Sequence, residues 1–337
     1  MNSLLKTAGA VLGAAVLTKM VVNRAREARY PISGKVVLIT GGSRGLGLLL
    51  ARELSAHGAK LVLLARDPST LETACSELRS RGEVLGIPCD VTDPHQVNAA
   101  VARAQQVFGR IDLVINDAGR IEVGPARAMT TADYEAAMAT NFWGAYHVIH
   151  AVLPQMRAQG EGRIVNISSI GGLLSVPHLL PYSASKFALT GYSLGLRAEL
   201  ARENIVVTTV CPGLMRTGSP INANFKGNQA AEYAWFTAAD SLPGLSMSGE
   251  RAARQIVRAA RRGQALSVLS LPAQLGAFLQ GTAPNLMAEL MTLTARGLPD
   301  ADSPATRPGR MLRSPRLRWL TVLTETAARR NNQWGQL

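Results

Sequence analysis

The chain has 337 residues, 47% of them hydrophobic, which suffices for one large domain with additions. Its three cysteines, Cys75, Cys89 and Cys211, are widely spaced, with no C-x-x-C pair and no histidine cluster beside them. That excludes a disulfide framework or zinc site as the organising feature and makes a reducing compartment the default. The net charge of +13 is gathered largely at the two ends, beside apolar segments and without any nucleic-acid-binding motif; an anionic membrane surface suits it better than DNA or RNA, with a merely basic surface as the alternative.

Residues 4–22 are apolar and small, with Lys6 and Lys19 near the two ends and no acid before Glu27. They read as a short anchor or membrane-surface helix whose lysines snorkel. There is no convincing cleavage site before Arg24, and Arg24, Arg26 and Arg29 would hold the downstream side in the cytoplasm. From Lys35 the pattern turns to alternating strands and helices. Lys35 to Ile39 reads as a strand, followed by Thr40-Gly41-Gly42-Ser43-Arg44-Gly45-Leu46-Gly47 and a helix ending near Gly58. Glycines at 41, 45 and 47 permit a tight turn and close approach of backbone to a pyrophosphate, which the helix N-terminus favours. A second strand, Lys60 to Leu64, runs into Ala65-Arg66-Asp67, and a third ends at Cys89-Asp90-Val91. A fourth, Ile111 to Ile115, is followed by Asn116-Asp117-Ala118-Gly119.

The apolar run Arg163 to Ile167 reads as a buried parallel strand, which places Ser169 at its carboxyl end, where sites of open α/β sheets lie. Tyr182 and Lys186 follow, four residues apart in a helical segment from Ser183 to Arg197, so that both share one face. A lysine ammonium beside a phenol favours the phenolate and lowers its pKa, making the pair a proton donor and acceptor for an alcohol or carbonyl oxygen. Val206 to Cys211 is another buried strand, ending in Pro212-Gly213. Residues 218–245 show no strong period and carry Phe225, Tyr233, Trp235 and Phe236. Ser248 opens a basic helix, Ala265 to Leu271 is the last strand, and Pro272 to Gln280 and Pro284 to Gly297 read as two very apolar helices. These two helices could cover a cleft, form a dimer surface or dip into lipid. A Pro/Arg-rich linker at 300–316 precedes a short amphipathic helix from Leu317 to Arg330.

Taken together, T-G-x-x-x-G-x-G at 40–47, N-x-A-G at 116–119, Asn141, Ser169, Y-x-x-x-K at 182–186 and P-G at 212–213 resemble the short-chain dehydrogenase/reductase family, in its order and spacing. The resemblance runs over roughly 70% of the chain, residues 34 to 271, and leaves both ends outside. It implies an α/β fold of the Rossmann type, a doubly wound parallel sheet of about seven strands with helices on both faces. It divides the chain into an N-terminal segment (1–30), a catalytic domain (31–271) with a substrate lid over 214–247, and a helical, basic extension (272–337). It further implies catalytic roles for Asn141, Ser169, Tyr182 and Lys186. A nicotinamide cofactor would be held by Gly41, Ser43, Arg44, Gly45, Leu46, Gly47, Arg66, Asp90, Val91, Asn116, Ala118, Gly119, Tyr182, Lys186, Pro212, Gly213 and Thr217, the last as the carboxamide-binding threonine.

At the position where the family carries a ribose-binding acid this chain has Ala65, followed by Arg66, and Arg44 lies within the glycine motif. Two guanidiniums can grip a 2′-phosphate, so NADP(H) is favoured over NAD(H), with Asp67 arguing the other way. The expected activity is hydride transfer between nicotinamide and a carbonyl or secondary alcohol, with an apolar, lipid-like substrate suggested by the aromatic lid. Tyr182 would move the proton, Ser169 polarise the oxygen, Lys186 hold the nicotinamide ribose, and Asn141 support a water-linked relay. A non-catalytic NADP(H)-binding scaffold or sensor at a membrane is the alternative. The family is often dimeric or tetrameric, and the extension could block or replace those contacts.

Overall fold

The computed structural model describes residue 18, residues 21–312 and residues 318–334. The anchor expected over 4–22 therefore lies almost wholly outside the described residues. Among those described, no helix is long and apolar enough to cross a membrane.

Seven strands form one parallel sheet: β1 (Val36–Thr40), β2 (Lys60–Ala65), β3 (Val84–Pro88), β4 (Leu113–Asn116), β5 (Gly162–Ile167), β6 (Ile205–Pro212) and β7 (Leu266–Leu269). Their spatial order is β7-β6-β5-β4-β1-β2-β3. The chain thus starts at β1, winds outward to β3, then returns past β1 and winds out the other way, and the reversal opens a crevice between β1 and β4. Side chains of β1 alternate between the two faces: Val37 and Ile39 join one buried cluster, Val36 and Leu38 the other. The first cluster is closed by α1 (Gly45–Ala56), α2 (Pro68–Arg79) and α8 (Gly249–Arg262). The second is closed by α3 (Pro94–Phe108), α5 (Gly144–Gln159) and α6 (Leu180–Glu199). Both faces being covered, the strands need no polar side and read as near-continuous apolar runs.

Asp67 and Asp93 begin α2 and α3, each accepting from two first-turn N–H groups with proline next in sequence. A short helix α4 (Thr131–Met138) leads into α5 through a π turn, Ala139–Trp143, which carries Asn141. At the opposite end of the sheet, Tyr30 is buried beneath the Arg163 guanidinium, 3.8 Å from ring centroid to Cζ, and donates to the Asp112 carbonyl.

Residues 218–245, without period in the sequence, contain a regular helix, α7 (Gln229–Ser241). Phe225, Tyr233 and Phe236 are packed edge-to-face in a small core with Val123 and Leu179. The linker expected at 300–316 is also structured: Arg307–Pro308 pairs antiparallel with Asn224–Phe225. Between them lie α9 (Leu271–Thr282) and α10 (Pro284–Arg296). α9 backs onto Leu174 and Gly213, while Leu275, Phe278, Leu286 and Leu293 face outward and exposed. The final helix, α11 (Arg318–Arg330), docks on α7, where the Ser241 and Thr324 hydroxyls lie 2.7 Å apart.

Beyond α11 the chain crosses the carboxyl ends of the strands. The Asn331 carbonyl accepts the Gly45 N–H at 2.8 Å. Asn332 Nδ2 donates to the Ser43 and Thr70 carbonyls, and Gln333 Nε2 to the Thr217 carbonyl. Asn331 and Gln333 are buried in this strap.

Candidate active site

Strand β5 ends at Ile167, and Ser169 caps the short turn beyond it, accepting the Gly171 N–H at 3.0 Å. α6 begins at Leu180 and presents Tyr182 toward the same point. A Cβ on Gly171 would lie 3.4 Å from Ser169 Oγ, from Ser183 Oγ and from the Tyr182 ring. One turn along α6, Lys186 is buried, its Nζ donating to the Ile167 carbonyl at 2.8 Å and standing 5.7 Å from the Tyr182 ring centroid. The i, i+4 spacing puts both side chains on the face that meets the end of β5.

Asn141 approaches from the π turn. Its Oδ1 accepts the Arg120 N–H at 2.8 Å, and its Nδ2 donates to the Arg120 carbonyl and to Ser185 Oγ. A Cβ on Gly119 would sit 3.2 Å from Asn141 Oδ1 and 3.8 Å from Lys186 Nζ, so Asn141, Gly119 and Lys186 meet. The four side chains read as catalytic thus come from three elements, the π turn, the end of β5 and α6, to one place. π turns interrupt helices mainly where a side chain must be re-aimed.

The electrostatics differ from the expectation that Lys186 lowers the Tyr182 pKa. Burial pushes the Tyr182 phenol up to about 12, partly offset by the Ser169 hydroxyl. Burial also brings Lys186 down to about 8, against the pull of Asp117. The lysine is engaged with a carbonyl and is itself reluctant to hold charge, so desolvation outweighs its effect on the phenol.

The glycine turn lies at the mouth of the crevice. Gly41 and Gly45 have φ of +70° and +56°, which only glycine adopts without strain. A Cβ on Gly47 would overlap the Gly41 carbonyl oxygen, so the third glycine lets α1 close on the turn. Leu46 and Ser43 are buried; Arg44, the N-cap residue of α1, makes no capping bond, and the first turn has no acid. Arg44 Nη1 instead donates to Asn222 Oδ1 at 2.9 Å. Arg66 is exposed just beyond β2. Asp67 caps α2, its Oδ1 accepting from Ser69 and Thr70, while its charge also acts on Arg44.

Asp90 holds the Thr92 N–H and hydroxyl, and the buried Val91 offers its carbonyl to His147. Asn116 donates to Asn166 at 2.9 Å; the Asp117 and Ala118 N–H groups both go to Thr40 Oγ1. Asp117, where the family has a second Asn, meets the Gly47 N–H, and burial raises it to about 8. Pro212 ends β6, the Gly213 N–H donates to the Leu269 carbonyl, and Thr217 is buried with its carbonyl taken by Asn331 and Gln333.

Several neighbours of this site carried no local signal in the sequence. Asn222 and the strap at 331–333 reach it from far along the chain. Asp240 of α7 is buried, its carboxyl raised to about 7 by burial, and it accepts from the Met215 N–H and the Ser219 hydroxyl.

A family model described as short chain dehydrogenase matches residues 35–226. A putative ketoacyl reductase of the granaticin polyketide synthase from Streptomyces violaceoruber is 42% identical over 185 residues, 54% of this chain and 68% of that protein. The crystal structure of a short-chain dehydrogenase from Streptomyces avermitilis superposes with a TM-score of 0.65 at 31% identity, covering 78% of this chain and 99% of that one. That of L-sorbose reductase from Gluconobacter frateurii, complexed with NADPH and L-sorbose, gives 0.64 at 27% identity, over 71% and 96%.

Proposed function

The chain belongs to the short-chain dehydrogenase/reductase family, and on that footing we propose that it is an NADP(H)-dependent carbonyl reductase or alcohol dehydrogenase. The observation that carries this reading is the meeting of Ser169, Tyr182 and Lys186 at the carboxyl end of β5. The positive end of α1 has no acid in its first turn, and Arg44 and Arg66 stand beside it, which suits a dinucleotide phosphate once the Asn331 carbonyl releases the Gly45 N–H. The relative complexed with NADPH supports the same choice. The nicotinamide would supply or accept the hydride.

This chain's own residues handle the oxygen. Tyr182, protonated at neutral pH and pushed further up by its burial, gives its proton to the carbonyl oxygen in reduction and takes it from the alcohol in the reverse direction. Ser169 orients that oxygen, and Lys186, fixed on the Ile167 carbonyl, is placed to hold the nicotinamide ribose. Asn141 ties the Arg120 backbone to α6 and so positions Lys186. Tyr182, Ile121 and Val176 each pack against the same small apolar core, which includes Leu179, and this supports an apolar substituent on the carbonyl. The lid aromatics lend this no further support, because Phe225, Tyr233 and Phe236 are spent on the lid's own core.

The test is NADPH oxidation against a panel of apolar ketones and aldehydes, with NADH and Tyr182→Phe alongside. Loss of the hydroxyl should cut turnover by about 10³-fold, while NADPH still raises the melting temperature. Turnover retained in Tyr182→Phe would remove the tyrosine from the reaction. Binding without chemistry on any carbonyl would favour a cofactor-sensing protein instead.

A further inference from the structure

The C-terminal part of the chain returns to the guanidinium of Arg44 by two routes. Asn222, which accepts from Arg44, is itself held by Gln333: Nδ2 donates to the Gln333 carbonyl at 3.0 Å and to its Oε1 at 2.6 Å. The next residue, Ala223, accepts the Gly309 N–H at 2.9 Å, and Arg307–Pro308 pairs with Asn224–Phe225. Gly309 has no room for a side chain, since a Cβ there would overlap the Pro220 carbonyl oxygen. Arg310 follows directly, so it is seated at Asn222–Ala223, beside Arg44.

Three guanidiniums from three distant parts of the chain thus gather at one spot. Burial first, then the charge of Arg66, hold Arg44 below its usual pKa; Asp67 opposes this, and Arg310 adds to it. Among the described residues none of the three has a carboxylate ion pair, and Asp67, the acid in reach, is committed to the first turn of α2. Three like charges gathered around the single carboxylate of Asp67 leave an excess that an anion would relieve. We propose that Arg310 is a third ligand for the adenosine 2′-phosphate of the cofactor, contributed by the C-terminal extension. The proposal rests on the NADP(H) reading above. It makes the extension part of the dinucleotide site, and cofactor choice a property of residues 44, 66 and 310 together.

The test is calorimetric binding of 2′,5′-ADP and 5′-ADP, and of NADPH and NADH, to the full chain and to Arg310→Ala and Arg44→Ala. Arg310 is exposed, so its removal should leave the fold and melting temperature intact. Arg310→Ala should weaken 2′,5′-ADP and NADPH on the order of tenfold and leave 5′-ADP and NADH within about twofold. Arg310→Lys should restore part of the loss. Unchanged 2′,5′-ADP affinity in Arg310→Ala, with preference lost only in Arg44→Ala, would overturn the role of Arg310 and leave the NADP(H) reading standing. Equal weakening of all four ligands would overturn it as well, since a 2′-phosphate ligand must discriminate. Should the unaltered protein fail to distinguish 2′,5′-ADP from 5′-ADP, the cofactor reading itself falls.

Discussion

At Asp117 a carboxyl occupies a half-buried position under the glycine turn, between the Gly47 N–H and Lys186. Burial raises its pKa to about 8, well above the value near 3.9 expected in the unfolded chain. The folded state therefore holds a proton that the unfolded state has released. Stability associated with this group is full below about pH 4, falls as pH rises, and is lost once pH passes about 8. Asp117→Asn should raise the melting temperature by a few degrees at pH 8 and by progressively less toward pH 5. Thermal unfolding of both proteins across that range checks the sign. A gain that is constant with pH would mean the carboxyl is ionised throughout. The same change removes the acid that supports the Lys186 charge, so Lys186 should titrate lower still.

Ser248 reads as the start of α8, and it caps that helix by accepting the Arg251 N–H. Asp67-Pro68 and Asp93-Pro94 cap α2 and α3 in the same way, though neither helix is read from the sequence. The glycine turn, Ser169 and Tyr182-x-x-x-Lys186 were legible because their chemistry is written within a few residues. α7 was not legible, because its buried face is half polar, with Glu232, Thr237 and Asp240 among Tyr233 and Phe236. Hydrophobic periodicity cannot mark a helix that buries carboxyls. Gly218 shows how tightly the elements around α7 are fitted. Its φ is +85°, and a Cβ there would lie 2.5 Å from Ala328 of α11. Gly218→Ala should displace α11, cost about 1–3 kcal/mol from the left-handed backbone alone, and open residues 318–334 to protease. Limited proteolysis and thermal melts would show both effects. An alanine variant with the same cleavage pattern would mean that α11 is not docked on this turn.

Across the whole molecule, the sheet accounts for what sequence periodicity could reveal, and the long-range returns for what it could not. Arg44 meets Asn222 across 178 positions, and Asn222 meets Gln333 across 111. No local pattern encodes such pairs; asparagines and glutamines at 331–333 look like any polar tail until the fold brings them to Ser43, Thr70 and Thr217. Ending the chain at Arg330 should leave the far-UV circular dichroism unchanged, because no strand or sheet-covering helix is lost. The melting temperature should fall by a few degrees, because Asn222 and the buried Thr217 carbonyl lose their partners. An unchanged melting temperature would show that water replaces the strap without cost.

The strap also has a consequence in time. The glycine turn is among the first parts of the sheet to leave the ribosome, yet the carbonyl that meets its Gly45 N–H is 286 residues downstream. At typical elongation rates that is a delay of roughly 15–60 s. Through that interval the Gly45 N–H at the start of α1 must be satisfied by water, and the strap closes on the turn only after the rest of the sheet has been made.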